Sequence, residues 1–381
     1  MAALSIAELK AFRATAAAFA KRQVKPMLAL VPPDGELESI PELLREAEEA
    51  GLLATPRPEA AGYDAGIWGL RSLTEGAAVS LMLLAEVAEV CGGVAMCLHA
   101  AGLGSLLVAG AVDPPDPPRR AAAALMEGGF APGWGVILDP AAAAPARIET
   151  TARAKDGGFE LTGAKDFVAH APGTEAFVVF GRIESEWGLF LAGADAPGLE
   201  RRDAGHRLGL RATSVSHLVC NRAPAFRLRY DRPGAELTME HLARLWLGQT
   251  AIALGIARGA MAEAWKYAAE RYQGGTEIVN HPAMGGLLAE AEAGVMTGEG
   301  LLLAADQGDA RERLQRAAAA KLAGLEAAER AVTGCLQVFG GYGYMEDYGM
   351  EKRYRDVHTL RCAGGGPREL KLLLADLGRT R

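Results

Sequence analysis

No uninterrupted apolar run in this chain of 381 residues reaches the ~18 residues that a membrane-spanning helix requires, so no membrane partner is expected. Cysteine is scarce as well. The five thiols, Cys91, Cys97, Cys220, Cys335 and Cys362, form no C-x-x-C pair, so neither a metal site nor a disulfide scaffold is expected. An odd count in a chain long enough to bury a large core predicts reduced thiols in a cytoplasmic setting. Positive charge is in deficit: 40 Lys and Arg stand against 47 Asp and Glu, for a net charge of −7. With no dense basic cluster either, nucleic acid is excluded as a partner. The N-terminus lacks a basic region followed by an apolar stretch and a cleavage site, so no export signal is expected.

What the chain has is ordinary globular composition, half hydrophobic and 23% charged, in a length that suits two or three domains. Residues 3–26, 40–51 and 73–90 carry apolar side chains at three-to-four spacing and predict helices. Pro32 to Gly35 and Pro114 to Pro118 predict loops. From about Gly128 the pattern changes to short apolar runs at 159–163, 177–181, 188–191 and 217–220, separated by Gly, Asp or Pro; these predict an antiparallel sheet ending near Pro233. Helical periodicity returns from Thr238 to Arg271. It recurs after Asn280-His281-Pro282 (Asn read as the cap), over 309–339 up to Gly340-Gly341, and after Pro367. Helices, then sheet, then helices is α+β segregation. The expected domains are an all-helical 1–127, a β-sheet 128–235 and a helical bundle 236–381 of four helices.

Near the C-terminus stand Gln337, Gly340, Gly341, Gly343 and Tyr344, followed by Arg355-Asp356. Upstream, in order, lie G-A-K-D-F (163–167), L-G-L-R-A-T-S (208–214) and a helix ending E-R-Y-Q-G-G (270–275). The ordered set resembles the acyl-CoA dehydrogenase family over nearly the whole chain. That resemblance implies a fold of N-terminal helices, a middle β domain and a C-terminal helical bundle. It also implies a tetramer that binds FAD across subunit interfaces and oxidises an acyl-CoA thioester, passing electrons to an acceptor such as an electron-transfer flavoprotein.

By that resemblance, one half of the FAD site is kept. Arg271 matches the arginine that pairs with the FAD pyrophosphate, a task suited to a guanidinium fork. Gln337 with Gly340-Gly341 matches the segment where bare backbone lets the dinucleotide approach; the glycine pair by itself could be a plain helix C-cap, but with Gln337, Arg355-Asp356 and Arg271 all in register the cofactor contact is the preferred reading. Gly274 departs from the family's usual Phe. The flavin-facing half is eroded. Leu138-Asp139-Pro140 and Ala141 to Ala144 replace a hydroxyl-bearing loop, and Phe167 keeps an aromatic wall. Ala169 stands where the family has a Thr, and cannot donate to the flavin ring.

The implied chemistry needs a carboxylate beside the substrate α-carbon. In the commonest subfamily it lies 27 residues beyond the signature glutamine, which from Gln337 arrives at Gly364. A second subfamily carries it on the long helix, at the place of Leu245; neighbouring Trp246 stands where many members hold CoA with an arginine. Both base positions are empty. Glu240, Glu369, Cys362, His358, Cys97 and His99 are nearby alternatives, each more simply read as a solvated or packing residue. Gly364 retains a backbone N–H for a thioester carbonyl.

Three functions fit: a dehydrogenase with a relocated base, a specialised flavoenzyme of the same fold (oxidase, hydroxylase or elimination) needing no α-proton base, or a base-deficient subunit. The last would complete the nucleotide half of sites belonging to a homologous acyl-CoA dehydrogenase subunit. Arg271 and Gln337 argue against a structural protein without cofactor.

Overall fold

The computed structural model describes residues 6–28, 40–52, 78–109, 111, 134–137, 149–170, 174, 176–305 and 307–379. Both proline-rich loops, Leu138 and the 141–144 alanines lie outside the described residues.

The chain starts with α1 (Ile6–Phe19), which runs through a π turn at Ala20–Val24 into α2 (Lys25–Leu28). In α3 (Ile40–Glu49) the buried residues are Ile40, Leu43, Leu44 and Ala47, the spacing of one helix face. By contrast α4 (Ala78–Ala88) and α5 (Gly92–Ala109) are apolar nearly all round, as suits helices packed on several sides. Arg258 of the later long helix pairs with Glu86 and Glu89, and Arg13 Nε donates to Glu86 at 2.8 Å. A shared carboxylate thus ties α1 and α4 to the C-terminal helices.

Strands β1 (Trp134–Ile137), β2 (Thr151–Lys155), β3 (Gly158–His170), β4 (Ala176–Ile183), β5 (Glu186–Gly193), β6 (Leu199–Asp203) and β7 (Ser214–Leu228) form one sheet in the order β1-β4-β2-β3-β7-β5, with β6 on β7. Because β4 also pairs with β5, the path β4-β2-β3-β7-β5 closes on itself. Alternation decides which residues face where. Phe177 and Val179 pack inside with Phe190 and Leu218, while Val178 and Phe180 pack outward with Leu107 and Leu237. Both faces are buried, which is why this strand reads as an unbroken apolar run. The expected antiparallel pairing holds for β2–β3, β3–β7, β4–β5, β5–β7 and β6–β7. It needs correcting for β1, which runs parallel to β4, and for the single β2–β4 contact; short apolar runs carry no signal of strand direction.

The C-terminal helices are α6 (Gly234–Glu270), α7 (Pro282–Ala305), α8 (Ala310–Val338), α9 (Met350–Cys362) and α10 (Pro367–Arg379). There are thus five described helices here rather than four. α9 escaped notice because its buried positions, Met350, Asp356, Val357 and Leu360, make no continuous apolar stripe. Asn280 is not the cap of α7: its side chain donates to Thr276 and Glu277, and Pro282 opens the helix without needing an N–H donor. α8 opens on a capping box in which Glu312 N donates to Asp309 Oδ1 at 2.9 Å.

The Arg355-Asp356 pair joins α9 to the sheet domain. Asp356 Oδ1 accepts from Leu210 N at 2.6 Å, and Arg355 Nη1 donates to Leu208 O at 3.0 Å. A side chain on the intervening Gly209 would run into the Arg355 backbone, so glycine is required at this crossing.

Candidate active site

Two cavities flank the C-terminal helices. The first is built around the loop that links α9 to α10. Its carbonyls turn toward the protein: Lys321 Nζ, from α8, donates to Ala363 O and to Gly365 O at 2.9 Å, while Trp246 Nε1, from α6, donates to Gly364 O at 2.7 Å. Gly364 and Gly365 adopt φ +65° and +113°, conformations that favour glycine. Burial pushes the Lys321 ammonium down to about 7, against the opposing pull of Cys362 and Glu369.

The cavity in front of this loop has a volume of about 500 Å³ and is bounded by β3, the 204–215 segment, α5, α6 and the end of α9. Phe167, Ala169, Leu245 and Gly364 all line it, so three separate stretches of sequence meet in one place. Phe167 is 64% exposed at φ +54°, with its ring 4.9 Å from that of His217. Trp246 does not line the cavity. It is fully buried behind the loop, and its indole N–H is committed to Gly364 O. Among the described lining residues the one carboxylate is Asp166, which is held by His217 Nδ1 at 2.8 Å. Glu240 lies outside the lining, bound to Arg232 at 2.8 Å and to Arg313 at 2.5 Å. His99 is buried, its Nε2 3.1 Å from Leu245 O, and desolvation lowers it to about 4. Cys97 is likewise buried.

Gln249 was not singled out from the sequence, yet it lines this cavity and is 1% exposed. A Cβ added to Gly364 would sit 3.1 Å from Gln249 Nε2, 3.3 Å from Leu245 Cδ2 and 3.4 Å from Gln249 Oε1. The signal was a polar residue one turn after Leu245 on a face that is otherwise apolar. Lys321 was missed too, a lone lysine inside an alanine-rich helix.

The second cavity, about 560 Å³, collects Arg271, Gln337, Gly340 and Gly341 from the ends of α6 and α8. Arg271 is the C-cap of α6, and its guanidinium lies 5.7 Å from the Tyr342 ring centroid. Gly340 follows the C-cap Phe339 at φ +58°, so the glycine pair ends the helix and also leaves the cleft wall bare. No atom lies within 4 Å of a Cβ built on either glycine. The Gly274 departure has a local cause. With Gly275 it forms the two-residue turn of a hairpin, β8 (Tyr272–Gln273) and β9 (Thr276–Glu277), at φ +69° and +92°.

Comparison with known proteins agrees with this architecture. The description "Acyl-CoA dehydrogenase, N-terminal domain" matches residues 7–111, and "Acyl-CoA dehydrogenase, C-terminal domain" matches residues 232–375. The chain belongs to the acyl-CoA dehydrogenase family. Cyclohexane-1-carbonyl-CoA dehydrogenase of Syntrophus aciditrophicus (strain SB) is 26% identical over 368 residues, covering 93% of this chain and 92% of its own. Among solved structures, butyryl-CoA dehydrogenase from Megasphaera elsdenii superposes with a TM-score of 0.81 at 20% identity, covering all of both chains. A glutaryl-CoA dehydrogenase from Mycobacterium smegmatis in complex with FADH2 superposes with a TM-score of 0.81 at 19% identity, covering 99% and 96%. This acyl-CoA dehydrogenase-family chain is therefore an enzyme-type flavoprotein by kinship. Among the described residues, no helix is long and apolar enough to cross a membrane, and no group of acidic, His or Cys side chains could hold a metal ion.

Proposed function

We propose that this chain is an FAD-dependent, acyl-CoA dehydrogenase-type oxidoreductase that serves as a base-deficient subunit of a heteromeric, tetrameric dehydrogenase. One observation carries the reading: the cavity beside Gly364 has no free carboxylate among its described lining residues, while Arg271, Gln337, Gly340 and Gly341 line one cleft together. A positioned base is worth ~10²–10⁴ in rate, so a site without one is poorly suited to α-proton removal.

The residues fit FAD unequally. Arg271, Gln337 and the bare Gly340-Gly341 backbone would hold the pyrophosphate and adenosine of a cofactor whose ring sits in a neighbouring subunit. On this chain's own side Phe167 would face the flavin ring, but Ala169 offers it no side-chain hydrogen bond. Bound flavin supplies the hydride acceptor. Gly364 would offer its N–H to a thioester carbonyl, a role supported by the loop carbonyls being engaged elsewhere. An electron-transfer flavoprotein is the proposed acceptor. Four of the five cysteines are buried and none is bridged, which suits a reducing, cytoplasmic setting.

A second reading, a specialised flavoenzyme such as an oxidase, a hydroxylase or an elimination catalyst, is favoured by the open 500 Å³ cavity and by the buried amide of Gln249 facing it. Flavin stoichiometry separates the two. Purified alone and then with a homologous dehydrogenase subunit, the chain should carry little flavin alone and about half a flavin per chain in the mixed complex. Full occupancy by the lone chain would defeat the subunit reading in favour of the second.

A further inference from the structure

Gln249 presents a recognition problem that neither base position poses. Its side chain is 1% exposed, lines the cavity beside Gly364, and keeps Oε1 without a hydrogen-bond partner among the described residues. The threonine hydroxyls in the same wall are already spent: Thr213 Oγ1 donates to Gly93 O at 2.6 Å and Thr359 Oγ1 donates to Arg355 O at 2.9 Å. Around the amide the surfaces are apolar, with Leu245 on the same helix face and Met96, Ala100 and Leu103 on α5. A carbonyl oxygen buried in such a wall is costly to leave unpaired. A ligand group that reaches it would complete the site.

The amide presents an acceptor, Oε1, beside a donor, Nε2. A methylene chain satisfies neither. A carboxylate takes the donor end and sets negative charge against Oε1, and a ketone leaves Oε1 unpaired. A hydroxyl both donates and accepts, so it satisfies the whole group. Its place follows from Gly364, whose Cβ position lies 3.1–3.4 Å from both amide atoms. If the cavity takes an acyl thioester, as the proposed function holds, that point lies beside the carbons next to the thioester.

Resting on that reading, we propose that the cavity selects acyl thioesters that carry a hydroxyl on the second or third carbon, and that Gln249 is the residue that recognises it. A plain acyl chain would leave Oε1 unpaired, and sites built to bond a hydroxyl reject analogues that lack it.

The test is calorimetric titration of the purified chain, free of any homologous subunit, with butyryl-CoA, 2-hydroxybutyryl-CoA and 3-hydroxybutyryl-CoA, repeated on Gln249→Leu and Gln249→Met. One hydroxylated ligand should bind about 10-fold or more tighter than butyryl-CoA. Both variants should erase that preference while leaving butyryl-CoA binding unchanged or tighter, a split that general damage to the fold does not produce. Equal binding of all three ligands by the parent protein, or a preference that survives in whichever variant folds, overturns the role of Gln249 and leaves the thioester site standing. Failure of every ligand to bind overturns the thioester reading itself, and this inference with it.

Discussion

Lys321 Nζ donates to the carbonyl of Gly365 over 2.9 Å, and the same group reaches the carbonyl of Ala363. One buried side chain therefore fixes both ends of the tripeptide centred on Gly364. The free energy of this arrangement depends on pH. In the folded chain burial lowers the lysine to about 7 from an ordinary 10.5. Between those values the unfolded chain binds a proton that the folded chain does not, so stability rises with pH across that window. Below about 7 the charged ammonium must be buried, and the penalty is present in full. Lys321→Met should remove this slope. Urea midpoints at pH 6, 8 and 10 should rise for the parent relative to the variant; parallel curves would refute a titrating lysine.

His99 and His241 contribute to the behaviour on the acid side. Desolvation lowers them to about 4 and about 3, with His241 pushed further by His99 and Arg244. The unfolded chain takes up protons on these rings near pH 6.5, before the folded chain does. Stability is thus lost as pH falls below about 6.5. His241→Phe, beside the ring of Phe180 at 5.2 Å, should flatten part of this loss, measured as a smaller drop in Tm between pH 7 and 5 than the parent shows.

The sequence disclosed the long helices, the sheet domain and residues that the structure gathers around two cavities, because each rests on a local signal. Periodicity marks α6 and α8, and the spacing from Gln337 to Gly364 is a matter of counting. What stayed hidden depends on contacts between distant segments. Strand direction in β1, the role of Trp246 behind the loop, and the meeting of Gln249 with Gly364 are set by packing across the cavity wall. α9 was obscured for another reason: charged residues on it are spent on tertiary bonds, Asp356 to Leu210 and Arg361 to Glu329, so polar side chains interrupt its buried face.

Asp356 offers a direct measure of how firmly the sheet domain is held to the bundle. It is 2% exposed, accepts from Leu210 N, and accepts from Lys352 Nζ at 2.6 Å. Asp356→Ala strands both donors and should cost about 2–4 kcal/mol. Asp356→Asn keeps an acceptor for Leu210 and should cost roughly half as much. Chemical denaturation of the two variants would check this; equal, sub-kcal losses would show that the crossing at Gly209 is held by packing alone.

Arg271 tests the nucleotide cleft. Hydrogen bonds to a charged group contribute about 1.5–3 kcal/mol, so Arg271→Ala should weaken FAD retention roughly 10-fold or more in the assembled complex. The measurement is flavin absorbance after dialysis. The helix end should survive the change, because Arg271 N still donates to Tyr267 O and Ile278 N to Arg271 O through backbone atoms. Unchanged flavin content would remove the main support for a retained nucleotide site.

Gly364→Glu tests the proposal that this chain lacks a catalytic base. The backbone there is left-handed at φ +65°, which costs a side-chain-bearing residue about 1–2 kcal/mol. Its Cβ would also press on Gln249 and Leu245 at 3.1–3.3 Å, so the new side chain must displace the amide before it can face a substrate. Under the proposed function, Ala169 would still offer the flavin ring no side-chain donor, and Leu138 would offer it no hydroxyl. The expected outcome is a less stable protein whose acyl-CoA oxidation stays at the parent's level, followed by dye reduction in single-turnover assays. Brisk oxidation by this one variant would mean that the flavin-facing wall is intact in function, and the case for a base-deficient subunit would reduce to a single substitution.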